Sequence, residues 1–187
     1  MRTKDLDKQQ RIKEAMMSLI LDEGINGASV SKIARKAGVS PATIYVYYDN
    51  KEDMLEEVFC ECTRESYSYI AKHVHPQMSG EDLIETLVRG FYIFASQNKE
   101  AFSFVEQCSS NPTISEKVTN MKWSLDIFNM IHDYQKQGII RPCSDVNIAG
   151  ILFSPVRFLA TNSDRCNDPE SELKELVIMM QNMLLIK

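Results

Sequence analysis

Residues 29–59 read SVSKIARKAGVSPATIYVYYDNKEDMLEEVF, and this stretch decides the fold. Ser29 is suited to cap a short amphipathic helix, which Gly38 is suited to end. Two residues later, Ser40 and Pro41 are of the types preferred at the N-cap and the first position of a second short helix. Two short helices joined by a glycine-containing turn are typical of a helix-turn-helix, whose second helix enters the major groove of DNA.

Helical spacing of apolar residues also recurs on both sides of this stretch, and no alternation of apolar and polar residues predicts a β-strand. Further helices are predicted at about 5–23, 50–74, 81–98, 99–109, 115–137, 145–161 and 170–186. The sequence therefore predicts an all-α fold of about nine helices. A three-helix domain is expected at 1–50, followed by a connecting helix at 50–74 and a larger helical bundle at 75–187.

The second short helix has two different faces when its residues are placed at about 100° per residue. Ile44 and Tyr48 share one face, with Tyr45 at its margin, and are expected to dock on the preceding helices. The outward face carries small, hydroxylated or aromatic residues: Ala42, Thr43, Val46 and Tyr47. Because this face has no long charged side chain, it suits close approach to base edges and to thymine methyl groups.

Charge is distributed unevenly along the chain. Residues 1–48 contain eight Lys or Arg and five Asp or Glu, a net charge of +3, whereas residues 49–187 carry −8. A basic N-terminal segment, called the basic head (residues 1–48), on an otherwise acidic chain indicates that only this end of the protein meets an anionic polymer. Lys32 and Lys51 fall in the first turns of their helices, where a cation opposes the helix dipole, so phosphates are expected to neutralise them.

Composition and motifs argue against several other classes of protein. The 187 residues are 44% hydrophobic and 25% charged, which suits a globular chain, and no apolar run is long enough to span a membrane. The N-terminus lacks the apolar stretch of a secretory signal, which predicts a cytoplasmic protein. The five cysteines include no CxxC pair, and no nucleophilic triad or glycine-rich phosphate loop is visible, so no enzyme activity, cofactor or metal site is predicted.

The quoted stretch resembles the DNA-binding signature of TetR-type transcriptional regulators. Ser or Thr, Ile-Ala, Ala-Gly-Val-Ser, a tyrosine, an aromatic residue, a lysine and a leucine fall at the offsets of that family, and the resemblance covers about residues 8–60. Tyr48 is a departure, since the family usually has Phe at this position. Pro41 and Ala42 are another, because many members have glycine or other small residues there, so the base preference of the family does not transfer to this chain.

The resemblance implies a homodimeric repressor, without enzyme activity, that binds a palindromic operator in double-stranded DNA. The family's recognition-helix contacts correspond here to Ser40, Pro41, Ala42, Thr43, Tyr45 and Tyr47. Its phosphate contacts correspond to Ser29, Ser31, Lys32 and Lys51.

The resemblance also implies that residues 75–187 form the dimer and bind an effector. The two-fold interface of the family would use 148–160 and 173–186, whose apolar residues are Ile148, Leu152, Leu159, Leu173, Leu176, Val177, Met180, Met183 and Leu184. The alternative is that the apolar stripe of the last helix packs within the core of the same chain. A small apolar or amphipathic effector is expected in a cavity between helices, lined by a subset of the aromatic residues: Phe91, Phe94, Phe102, Trp123 and Phe128. Arg157 interrupts the apolar run ILFSPVRFLA and needs an anionic partner, either an acidic effector or a carboxylate of the dimer mate.

The leading interpretation is therefore a sequence-specific DNA-binding repressor released by a small molecule. The first alternative is a regulator of the same fold that a protein partner or cysteine oxidation controls. A helical-bundle enzyme is the second alternative, and a polar pocket with convergent titratable groups would favour it.

Overall fold

The computed structural model describes residues 2–109, 111 and 122–186, with the side chains of 2–5 and 122–125 left undescribed. In this part of the chain there are nine α-helices and no extended strand, which confirms the predicted all-α fold. The helices are α1 (Arg2–Gly27), α2 (Val30–Ala37), α3 (Pro41–Ile44), α4 (Lys51–Ala71), α5 (Gly80–Gln97), α6 (Lys99–Ser109), α7 (Lys122–Lys136), α8 (Asp145–Thr161) and α9 (Pro169–Leu184). A short 3-10 turn, Ser163–Arg165, lies between α8 and α9.

The chain divides into two compact units. The first comprises the described residues within Met1–Thr63 and Glu100–Val118, and the second comprises those within Arg64–Lys99 and Thr119–Lys187. The division falls inside α4, and nearly all of α6 belongs to the first unit. The boundaries predicted from the sequence, at 50 and 75, do not coincide with this division.

The first unit is built around the apolar face of α1. Ile12, Met16 and Ile20 are at most 1% exposed, as are Ile33 of α2 and Ile44 of α3. Near its C-terminal end, α1 is interrupted at Gly24, which has a positive φ of 78° that few other residues adopt. The predicted end of the first helix at this glycine therefore matches the break in α1, and a final turn continues to Gly27.

The second unit buries its core between α5, α8 and α9, with contributions from α4 and α7. The Tyr134 hydroxyl of α7 donates a hydrogen bond of 2.6 Å to the Met78 carbonyl, which fixes the segment before α5. The last helix ends at Leu184 because the residues after it pair with the segment after α7. There, the Ile186 amide donates to the Ile139 carbonyl at 3.0 Å, in an isolated antiparallel bridge.

Two of the longer helices end at least two residues before the predicted position. The helix predicted at 50–74 ends at Ala71, and the one predicted at 170–186 ends two residues early, at the bridge just described. The first part of the helix predicted at 115–137 lies outside the described residues. Across the described ranges, no helix has both the length and the apolar character needed to cross a membrane.

Candidate nucleic-acid interface

Both short helices of the first unit begin at the predicted residues, and α2 also ends where predicted, whereas α3 ends at Ile44, before the predicted end at Asp49. The Ser29 hydroxyl accepts a hydrogen bond from the Lys32 amide at 3.3 Å and so caps α2. Gly38 then takes the left-handed conformation, with φ 67°, that ends α2. The Ser40 hydroxyl accepts from the Thr43 amide at 3.2 Å and caps α3, whose first residue is Pro41.

The α3 segment, 41–48, has one buried face and one outward face, as the helical angles predict. Ile44 is 1% exposed and Tyr48 is 5% exposed, so both lie in the core of the first unit. Tyr45 is 58% exposed, and Thr43 and Tyr47 are half-buried. The buried residues fix the direction of the outward ones, because a single helical turn has no stability of its own.

Two hydroxyl-bearing residues on the outward face of the α3 segment, Thr43 and Tyr47, contact neighbouring side chains. The Thr43 hydroxyl lies 2.9 Å from the Ser40 hydroxyl, an arrangement that restricts both rotamers. The Tyr47 ring lies 6.4 Å from the ring of Tyr48, tilted by 56°, and so packs on a buried residue. Both outward side chains are therefore held on a rigid base, which favours precise contact with a partner surface.

Val46 is a functional candidate that the residue-by-residue resemblance missed. Its side chain is 76% exposed, an unusual position for a valine. The helical angle already placed it on the outward face with Thr43. An apolar group exposed there is suited to contact a thymine methyl group in a major groove.

Comparison with known proteins agrees with this geometry. The sequence profile described as "Bacterial regulatory proteins, tetR family" matches residues 12–58. A TetR family transcription regulator from Marinobacter aquaeolei has the same fold, with a TM-score of 0.88 at 20% identity over 100% of both chains. The fatty acid metabolism regulator protein of Bacillus subtilis is 27% identical over 76% of this chain and 75% of its own length. Residues 12–58 therefore match the TetR family, and the fold is that of TetR family regulators.

A third comparison concerns a TetR-type protein with a bound ligand. The transcriptional regulator FadR from Bacillus subtilis, in complex with stearoyl-CoA, has a TM-score of 0.71 at 21% identity over 91% of this chain and 96% of its own. The named relatives are transcriptional regulators, which agrees with the DNA-binding regulator that the sequence predicts.

The predicted phosphate contacts gather around the C-terminal end of α1. Lys32 donates to the Gly27 carbonyl at 3.0 Å and Lys51 donates to the Ile25 carbonyl at 3.1 Å. Ser29 and Ser31 lie exposed at the start of α2, beside this pair of ammonium groups. The tertiary structure thus brings together two lysines that are 19 residues apart in sequence.

Three lysines of the basic head, residues 1–48, are paired with carboxylates in the structure. Lys32 also pairs with Glu23 at 2.5 Å, and Lys36 pairs with Asp22 at 3.4 Å. Lys13 pairs at 3.1 Å with Glu61, a residue beyond the basic head. Asp22 and Glu23 are already counted in the net charge of +3, so only Glu61 adds negative charge to that of the first 48 residues. The pairing shows which of the lysines are compensated locally.

The six residues predicted to bind an effector lie in different surroundings. Phe94 and Phe128 are each 7% exposed in the second unit, whereas Phe102 is buried in the first. Phe91 packs against Phe153, with ring centroids 4.8 Å apart. Arg157 is half-buried on α8, and the side chain of Trp123 lies outside the described residues. Phe94, Phe102 and Phe128 contribute to core packing, and effector binding by this set stays a prediction.

A cleft that the sequence did not predict lies along α5 in the second unit. It has a volume of about 640 Å³ and is lined by Tyr69, His73, His75, Gln77, Met78, Asp82, Glu85, Thr86, Arg89, Gly90 and Ile93. Arg89 donates to Glu85 and to Glu170, both at 2.7 Å, and these hydrogen bonds raise the pKa of its guanidinium. Because Arg89 is already paired twice, the cleft has little free positive charge to offer a ligand.

The predicted dimer-interface residues require a correction. Seven of the nine are at most 8% exposed: Ile148, Leu152, Leu159, Leu173, Val177, Met180 and Leu184. They belong to the core of the second unit and have almost no surface left for another chain to cover. Only Leu176 and Met183 keep appreciable exposure. The apolar spacing identified a buried stripe correctly, but its partner is the rest of the same chain.

Tyr48, the departure from the usual Phe, leads to a pH prediction. Burial raises the pKa of its phenol to about 12, and the charges of Glu57 and Glu61 act in the same direction. An unfolded chain ionises this phenol near pH 10, so between pH 10 and 12 the unfolded state releases a proton that the folded state keeps. The free energy of unfolding therefore falls as the pH rises through this window and is unaffected below it.

We expect Tyr48→Phe to remove this loss. Between pH 9 and 12 the wild type should lose about 2–3 kcal/mol more unfolding free energy than the variant, as measured by urea denaturation followed by circular dichroism. Between pH 7 and 9 the difference between the two proteins should stay constant, which serves as the internal control. If the unfolding free energies of the wild type and the variant fell in parallel up to pH 12, the Tyr48 phenol would ionise equally in the folded and unfolded states, and the prediction would be wrong.

Proposed function

We propose that this protein is a homodimeric repressor that inserts α3 into the major groove of a palindromic operator and leaves it when a small molecule binds. The observation that carries the proposal is the α3 segment, whose Ile44 and Tyr48 are buried while Tyr45 and Val46 are 58% and 76% exposed. Exposed aromatic and apolar side chains on a firmly docked helix are costly without a surface to contact. In a helix-turn-helix that surface is DNA.

The proposed contacts separate into two groups. Base edges would be read from the outward face of α3 and its cap, by Ser40, Pro41, Ala42, Thr43, Tyr45, Val46 and Tyr47. Phosphates would be held at the start of α2 and α4, by Ser29, Ser31, Lys32 and Lys51. The positive ends of the α2 and α3 dipoles add to the second group.

The first test identifies the operator by selecting bound DNA from a random pool and then measures variants on it. Thr43→Ala and Tyr47→Ala should each weaken operator binding by about tenfold or more while melting temperatures stay close to that of the wild type, because both side chains face outward. Tyr48→Phe is the matched control, since it alters only an inward-facing tyrosine and should retain affinity. Normal operator binding by both outward variants would refute the proposed reading surface.

For the dimer, we propose an interface formed by the exposed apolar residues of α8 and α9. These replace the apolar residues predicted from the sequence, most of which are buried. Phe158 is 71% exposed, Met179 is 61% exposed and Met183 is 53% exposed. Phe158, Leu176 and Met179 border a groove of about 600 Å³ between the two helices. A groove beside a protruding phenylalanine suits a two-fold contact, in which each copy presents the same patch to the other.

Met179→Asp should convert the dimer to a monomer at micromolar concentration, as measured by light scattering coupled to size exclusion. The reason is that a dimer would bury the new carboxylate in an apolar contact without a partner charge. Leu6→Asp is the control, because Leu6 of α1 is 62% exposed and receives the same change in charge. A monomeric wild type, or equal dissociation of both variants, would count against this interface.

For the effector, we propose a long-chain acyl-CoA thioester or a closely related anionic amphiphile. Support comes from the similarity to the fatty acid metabolism regulator and to FadR with its bound stearoyl-CoA. The second unit is rich in apolar and aromatic residues, including Phe91, Phe128 and Phe153. Arg157, half-buried in the apolar helix α8, offers a cation for the anionic head group.

Stearoyl-CoA should reduce operator affinity by about five- to hundredfold, whereas free CoA should not, because the acyl chain supplies the apolar contact. Fluorescence anisotropy of the selected operator measures this release. In Arg157→Ala, higher ligand concentrations should be needed, with dimerisation checked separately. If the variant responds and dimerises like the wild type, Arg157 has no part in either process, and if no acyl-CoA releases the wild type, the ligand class is different.

Thiol oxidation remains the alternative means of release. The reactive form of cysteine is the thiolate, and burial raises the pKa of the fully buried Cys108 to about 12. Cys62 is also buried, at 1% exposed. An oxidation switch would therefore have to use the half-buried Cys60, Cys143 or Cys166. Loss of operator binding on treatment with diamide, escaped by Cys→Ser variants at these positions, would favour it.

A further inference from the structure

The ion pair between Lys32 and Glu23 lies at the proposed phosphate site. The Lys32 ammonium is 2.5 Å from a Glu23 carboxylate oxygen and 3.0 Å from the Gly27 carbonyl oxygen. Both side chains of the pair keep about two fifths of their surface exposed, 41% for Lys32 and 40% for Glu23. The pair is therefore formed in the free protein yet accessible to a competing anion.

Lys51, the other proposed phosphate lysine, is held differently. It donates to the carbonyl oxygen of Ile25 at 3.1 Å. A carbonyl is neutral, so this bond positions the ammonium without cancelling its charge. Lys32 donates a comparable positioning bond to the Gly27 carbonyl, but it is also paired with the full negative charge of Glu23.

We propose that Glu23 competes with DNA phosphate for Lys32 and so limits the sequence-independent part of DNA affinity. A phosphate that approaches Lys32 must displace or share the Glu23 carboxylate, which also repels it. An exposed ion pair of this kind is weak enough for a phosphate to compete with it. The proposal rests on the DNA contact proposed for Lys32, and it assigns to Glu23 a role that opposes binding.

The same ion pair can also stabilise the fold, and the test has to separate this role from competition. Lys32 lies in the first turn of α2 and Glu23 precedes the break in α1, so each charge stands at the unfavourable end of its helix dipole. Their pairing relieves both conflicts and joins α1 to α2. If that were its only role, removing Glu23 would lower stability and leave DNA affinity unchanged or weaker.

The experiment uses a labelled duplex of about 30 base pairs without operator sequence, so that phosphate contacts dominate. Fluorescence anisotropy across a series of salt concentrations gives the affinity and its salt dependence for the wild type and for Glu23→Gln. We expect Glu23→Gln to bind about two- to fivefold more tightly at about 100 mM salt. The slope of log K against log salt should steepen by up to about 0.9, the value for one added phosphate contact.

Two control variants show whether a gain comes from net charge alone and whether it acts through Lys32. Glu14→Gln makes the same change of charge on the same helix, at a carboxylate that accepts from Gln10 at 2.9 Å and not from a lysine. It should bind like the wild type, or nearly so. In a Lys32→Gln background, Glu23→Gln should give no gain, because the competition acts through Lys32. Melting curves confirm that each variant is folded.

Each outcome decides the matter. Tighter binding by Glu23→Gln that disappears without Lys32 supports the competition. An equal gain from Glu14→Gln, a gain that persists without Lys32, or weaker or unchanged binding by Glu23→Gln overturns it. If the wild type still binds its selected operator in those cases, the repressor proposal stands while the competition fails. A wild type that binds neither duplex overturns both.

Discussion

The burial of Ile44 and Tyr48 is the constraint on which the candidate DNA surface depends. Ile44 is the last residue of α3, a helix of four residues that is too short to persist by itself, and Tyr48 follows in the turn after it. The direction of α3 is fixed by packing into the core of the first unit, and its start is fixed by Ser40. Thr43, Val46 and Tyr47 are held outward as a consequence, because neighbouring residues in one turn have fixed angular separations. The reading surface is thus a product of core packing, although none of its own residues belongs fully to the core.

The electrostatic field of the first unit depends on which charged side chains are paired, and not only on the net charge. Lys32, Lys36 and Lys13 each have a carboxylate within 4 Å, while Lys51 is held by a carbonyl oxygen. Affinity for a polyanion depends on which of these charges are accessible and which are already compensated. The surface around the C-terminal end of α1 is therefore not uniformly basic. Lysines that attract phosphate lie there beside carboxylates that repel it.

The second unit shows how one helix can serve two surfaces. On α9, Leu173, Val177 and Met180 face the core, while Met179 and Met183 face outward. Both stripes are apolar, and together they explain why this helix has apolar residues around most of its circumference. An inward stripe stabilises the unit, and an outward stripe of this size suits association with another surface.

The sequence by itself determined the features that arise within a few residues. Caps at Ser29 and Ser40, the helix end at Gly38 and the two faces of α3 follow from local hydrogen bonds and from fixed helical geometry, so they could be read directly. The choice between the two apolar stripes of α9 could not, because both have helical spacing and only packing against α5 and α8 selects one. The ion-pair partners of the lysines could not be predicted from the sequence either, since Lys13 and Glu61, for example, are far apart in it. The tertiary structure decided these features because burial and ion pairing depend on residues that only the folded chain brings together.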